Sequence, residues 1–175
     1  MKRQSLLLST VLCSLVLSGV LFAEGIPTRI RVRAVSRDAK TIGSSVGGVL
    51  ITITDVSTKQ ILARGLQLGE SGDTSKIMGP RERGAVVYDT PGAAVFETSL
   101  LLERPTVVEV SAEGPLNFPQ AVNRSSKTLL LVPGQDVLGE GILLEIHGFI
   151  VKILSPDTDA TLGSNLDVKV LLTMT

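Results

Sequence analysis

Residues 48 to 68, GVLITITDVSTKQILARGLQL, confine this chain to a β fold more firmly than any other stretch in it. Val49, Ile51 and Ile53 fall on one face of an extended segment, and Thr52 and Thr54 on the other. That is the two-residue period of a half-buried strand built from β-branched residues. Asp55 to Gln60 then supplies Asp, Ser and Thr, whose side chains bond their own backbone in turns. On the return arm Ile61 and Ala63 hold one phase and Leu66 and Leu68 the other, which predicts a β-bulge at Gly65. The result is a hairpin with one apolar face to cover, the seed of an all-β module.

The same alternation recurs along the chain. In TRIRVRAV, residues 28 to 35, Ile30, Val32 and Ala34 point inward and Arg29, Arg31 and Arg33 outward. Residues 93 to 113 predict a second hairpin, with Phe96, Leu100 and Leu102 on one face, a corner at Glu103-Arg104-Pro105, and Val108, Val110 and Ala112 returning. Glu109, Ser111 and Glu113 point the other way. A linker over 115–126 leads to a strand at Lys127–Val132 and another from Ile142, where Ile142, Leu144 and Ile146 share a face. Past Gly148 the apolar phase passes to Phe149, Val151 and Ile153, so that glycine marks a bulge or a junction. A last strand runs from Leu166 to Met174. Between the two hairpins lies a long polar insertion from Gly69 to Gly92, holding GESGDTS, GPRERG and DTPG. Its glycines and prolines argue against a helix or a long strand, leaving a short strand at Val86–Tyr88. A connection of this length in a compact domain is most often functional or disordered.

The N-terminus carries a different message. Lys2 and Arg3 precede an apolar run from Leu6 to Phe22, and Ala23 offers a small residue for cleavage, so residues 1–23 read as a secretory signal helix. An uncleaved membrane anchor is the alternative, and it is the one route by which the sequence predicts membrane contact. Losing this leader removes Lys2, Arg3 and Cys13, which leaves 15 basic side chains against 17 acidic ones and no cysteine. That balance supplies no general field for nucleic acid. A domain without disulfides must stand on its apolar core, and it suits a periplasmic or extracellular protein of a bacterial envelope.

Few chemistries survive this inventory. One histidine, His147, and no cysteine after the leader rule out a structural zinc site or a Cys–His nucleophile from this chain alone. No G-x-S-x-G elbow, Walker A loop or dinucleotide glycine pattern occurs. Beyond the leader the chain has no Trp, one Tyr and three Phe, too few platforms for sugar or single-stranded nucleic acid stacking. No cofactor is expected. Asp157 and Asp159, in SPDTDAT, are thin calcium candidates, because two carboxylates fall short of the six or more oxygens the ion takes. The partner-binding candidates are Arg29, Arg31 and Arg33 on their strand face and Arg81 and Arg83 in the insertion. Guanidinium groups in a row can hold an anionic surface polymer. The plainer expectation is a solvated face paired across strands with Glu97 or Glu109.

Two stretches carry family resemblances. GGVLITITDVSTKQILARG and GAAVFETSLLLERPTVVEVSAEG resemble parts of carboxypeptidase regulatory-like modules, the transthyretin-like β-sandwiches found on exported proteins. The resemblance implies a seven-strand, Greek-key-like antiparallel sandwich over residues 26–147, usually non-catalytic and used for support or binding. The 69–92 insertion and the scarcity of aromatics depart from that pattern. FIVKILSPDTDATLGSNLDVKVLLT resembles the opening strands of an immunoglobulin-like module, which implies that residues 148–175 begin a second unit or add strands to the first. The function expected is that of an exported non-enzymatic binding or structural module touching an envelope protein or anionic polymer. The alternative is an accessory module that carries a ligand or metal for a larger exported protein.

Overall fold

The computed structural model describes residues 24–37, 40–156, 159, 161–163 and 165–174; the expected signal helix over residues 1–23 and Asp157 lie outside the described residues. Seven strands make an antiparallel β-sandwich of two sheets. One sheet places β1 (Ile26–Ser36) between β4 (Phe96–Leu102) and β7 (Val137–Ile146). The other runs β3 (Ile61–Gln67), β2 (Val49–Asp55), β5 (Thr106–Gly114), β6 (Asn123–Leu131). All pairings within the sandwich are antiparallel except β1 with β7, which is parallel.

The inward sets foreseen from alternation form the core. Ile30, Val32 and Ala34 of β1 and Ile142, Leu144 and Ile146 of β7 meet Val49, Ile51 and Ile53 of β2 and Val108, Val110 and Ala112 of β5. Each Val, Ile or Leu among them contributes about 1.5–3 kcal/mol on removal from water, so this double layer is the main source of cohesion. The Asp55 turn forms as its residues dictate: Asp55 Oδ1 accepts from Ser57 N, Ser57 Oγ and Thr58 N.

Four expectations need correction. First, β4 and β5 are not a hairpin; the Glu103-Arg104-Pro105 corner carries the chain from one sheet to the other. Second, the bulge of β3 is at Leu62, where the register slips between Ile53↔Ala63 and Thr54↔Ile61. Gly65 keeps register opposite Ile51, and its missing Cβ makes room for the Phe96 ring, which would come within 2.5 Å of that atom. Third, β6 begins at Asn123, inside the expected linker. Fourth, the core phase does not flip at Gly148: Ile142, Leu144, Ile146 and Ile150 all stay buried, and Phe149, Val151 and Ile153 are exposed.

Gly148 is a junction between sheets. Beyond it β8 (Phe149–Ser155) pairs with β9 (Lys169–Met174) as a separate two-stranded ribbon, tied to the sandwich core through Ile150.

Gln67, the last residue of β3, fastens the two sheets. It is fully buried; its Oε1 accepts from Ala34 N at 2.6 Å, and its Nε2 donates to Ala34 O at 2.9 Å and Ile42 O at 2.8 Å. The primary amide thus stands in for a peptide unit beyond the end of the β1–β4 pairing, where only the short segment 40–42 bridges β1 on that side.

A docked insertion as candidate functional site

The insertion expected to be a bare loop is folded against the outer face of β1 and β7. Its ends are clasped by isolated bridges, Leu68 with Val95 and Glu70 with Ala93. Pro91-Gly92 turns the chain back, with Gly92 at φ 77° and Ala93 N donating to Thr90 O, the geometry of a type II turn. Inside it a short helix, α1 (Thr74–Met78), starts on Asp73, whose carboxylate accepts from Ser75 N and Lys76 N. The side-chain hydrogen bond from Ser75 and the backbone one from Lys76 hold the Asp73 carboxyl below the usual aspartate value. Ile77 from this helix joins Val87 and Tyr88 in a second small core over Val35 of β1, with Leu143 of β7 beside it.

Arg33 organises the polar half of this contact. It was expected on a solvated face, and here the structure corrects the sequence: Arg33 is 2% exposed, because the insertion covers it. Its NH1 donates to Gly139 O at 2.5 Å and Glu140 O at 2.9 Å, and its NH2 to Asp89 Oδ1 at 2.6 Å. Nε has no hydrogen-bond partner among the described residues. The two carbonyls are aimed at it by an irregular stretch of β7, where Gly139 and Gly141 take φ of 65° and 72° and the β1–β7 register shifts. Gly141 is required there, since a Cβ would lie 2.3 Å from Arg31 O.

Neighbouring groups complete the attachment. Asp89 also receives Arg31 NH1 at 3.3 Å, while Arg31 Nε forms an ion pair with Glu97 on β4. Glu140 accepts the backbone N–H groups of Val87 and Tyr88 in one carboxylate oxygen. Two charged side chains of the sandwich, Arg33 and Glu140, therefore hold opposite poles of the segment Val87–Asp89, which is irregular where a short strand at Val86–Tyr88 was expected. The Arg33–Asp89 contact, buried on the arginine side, adds little net stability against the cost of desolvating that guanidinium.

The remaining candidates are placed as follows. Arg29 is exposed and grips Asp136 through Nε and NH2 at 2.9 and 2.6 Å, which lowers the Asp136 pKa and raises that of Arg29. Glu109 pairs with Arg124, and Glu97 with Arg31, so Glu97 is the cross-strand partner of the arginine row. Arg81 bends back to Ile77 O and lies 5.3 Å over the Tyr88 ring. Arg83 stands exposed in the run Pro80–Val86, every residue of which is exposed. Asp159 is exposed. Among the described residues no cluster of three or more His, Cys, Asp or Glu could hold a metal ion. No helix among them is long and apolar enough to cross a membrane. Asp89, Glu140 and Gln67 escaped the sequence reading. The signal available for Asp73 was the D-x-S pattern of an N-cap opening a helix.

No protein-family model matches this chain, and no curated protein or solved structure matches it either.

Proposed function

We propose that this chain is an exported, non-enzymatic binding module of the cell envelope that meets its partner with the tip of the docked insertion, Arg81 to Val86. One observation carries the reading. Ile77 before the tip rests in a small core, and Val87–Asp89 after it is held by that core, by the buried Arg33 and by Glu140, yet the tip itself is left wholly exposed. A loop ordered in advance loses less entropy on binding than a free one. The tip bears Arg81, Glu82 and Arg83, and the arginines of β1 already have carboxylate partners, so the contact is assigned to the tip in preference to that face. The secretory leader, the absence of nucleophile and metal patterns and the resemblance to regulatory-like sandwiches support the same reading.

The test is a photo-crosslinking residue in place of Arg83 in an exporting host, with one in place of Arg104 as control. The expected result is a discrete adduct in the envelope fraction that is specific to position 83. Identical patterns from both positions defeat the proposal. A melting-temperature screen against divalent cations and inorganic phosphate addresses the carrier alternative, since a ligand of the folded state raises the midpoint by mass action.

A further inference from the structure

The β8–β9 ribbon shows an apolar face that the described residues leave largely uncovered, with Val151 and Ile153 bordering Phe118 at one side. Its register sets Phe149 opposite Met174, Val151 opposite Leu172 and Ile153 opposite Val170. All six alternate onto one side, opposite to the side on which Ile150 enters the sandwich core. They are 45% to 64% exposed. A two-stranded ribbon with a bare apolar face is marginal in water, so the fold of this element calls for a covering layer.

We propose that the covering layer is the same face of a second copy, packed sheet on sheet about a two-fold axis. Three features of the ribbon favour that occupant. Its two lysines, Lys152 and Lys169, alternate onto the opposite side, so two copies can close without setting like charges against each other or burying an unpaired one. Side chains of this size carry roughly 150–200 Å² each, so the six, about half exposed, offer on the order of 500 Å² per copy. Two copies then remove about 1,000 Å² from water, the lower bound for a biological interface and the size of a reversible one. Val151 and Leu172 form the central pair of this face, and an isologous contact through it closes at two copies without leaving a sticky surface. Aligned sheets pack at about 10 Å through interdigitated side chains.

Sedimentation velocity on the full chain, from about 1 to 100 μM, tests this. A monomer–dimer equilibrium is expected, and the double variant V151D/L172D should weaken it at least about 100-fold. Because neither residue belongs to the sandwich core, that variant should keep its circular dichroism and its main melting transition. Leu101→Asp, on an exposed residue of β4, should leave dimerisation unchanged. Amide exchange adds a second readout: β8 and β9 should gain protection with concentration while β2 and β5 do not. A monomer across the whole range, a dimer that survives V151D/L172D, or growth beyond two copies would each overturn the proposal.

Discussion

At the level of single residues, the sandwich depends on groups whose value comes from where they sit and not from what they are. Gln67 supplies both a donor and an acceptor to Ala34 and a donor to Ile42. Gln67→Leu keeps the volume but leaves Ala34 N and Ile42 O unpaired, while Ala34 O keeps the Ile42 N–H, and should cost about 3 kcal/mol in a denaturant titration. Gln67→Glu should cost more, because it sets acceptor against two carbonyls. The glycines of β7 give a cleaner contrast. Gly139 and Gly141 both have positive φ, but a Cβ at 139 meets nothing within 4 Å, while one at 141 collides with the Arg31 carbonyl. Gly139→Ala should therefore cost about 1 kcal/mol, the conformational part alone, and Gly141→Ala about 2–4 kcal/mol. The alternation of Val49, Ile51 and Ile53 was legible from the chain because strand period depends on nearest neighbours. Gln67 was not, since a polar residue in an inward position gives no sign of whether a partner waits for it.

At the level of elements, the strands could be read but their sheets could not. Glu103-Arg104-Pro105 looks the same whether β5 folds back beside β4 or crosses to the facing layer. What decides is that β1 takes the place next to β4, a pairing between distant parts of the chain. The insertion was misread for a related reason. Glycines and prolines locate its turns, but Ile77, Val87 and Tyr88 find a core only because Val35 and Leu143 present one. This gives a prediction for limited proteolysis with trypsin. Arg104 is followed by Pro105, Lys59 lies in a tight turn with its N–H on Asp55 O, and Arg33 is buried. Arg83, followed by Gly84 in the exposed tip, should be the first bond cut. The nicked halves should stay together in gel filtration, since β1 lies between β4 and β7, and β2 pairs with β5 across the break. In Arg33→Met the cut should spread to Lys76 in α1, with protection of β2 and β5 unchanged in amide exchange. Cleavage confined to the tip in that variant would show that the small apolar core alone holds the insertion down.

For the molecule as a whole, the charges that matter to folding are spread over its turns and edges, and they share a sign. Asp55 is held low chiefly by the Ser57 hydroxyl and the Thr58 N–H, Asp73 by Ser75 and the Lys76 N–H, and Asp136 by the Arg29 side chain and N–H. A carboxyl whose folded pKa lies below its unfolded value stabilises the fold above the unfolded value, near 3.9 for aspartate. That stabilisation is lost as pH falls through the lower, folded value, because over this interval the unfolded chain binds more protons. The melting temperature should hence be level from about pH 8 to pH 5 and fall on further acidification below about pH 4. Asp136→Asn should lower the neutral plateau and flatten the acid limb by up to about one proton. Ser57→Ala should raise the Asp55 titration midpoint, read by carbon-detected NMR, and leave that of Asp136 in place. Because Asp136 joins the entry of β7 to β1, Asp55 joins β2 to β3, and Asp73 starts the helix of the insertion, their loss need not be simultaneous. Amide exchange at pH 3 should then show the insertion opening before the sheets, since Ile77, Val87 and Tyr88 rest on a far smaller core than β2 and β5 do. Simultaneous loss of protection in α1 and β5 would mean that the insertion belongs to the same cooperative unit as the sandwich, and that Arg33 and Glu140 bind it more tightly than their exchange of water for protein partners implies.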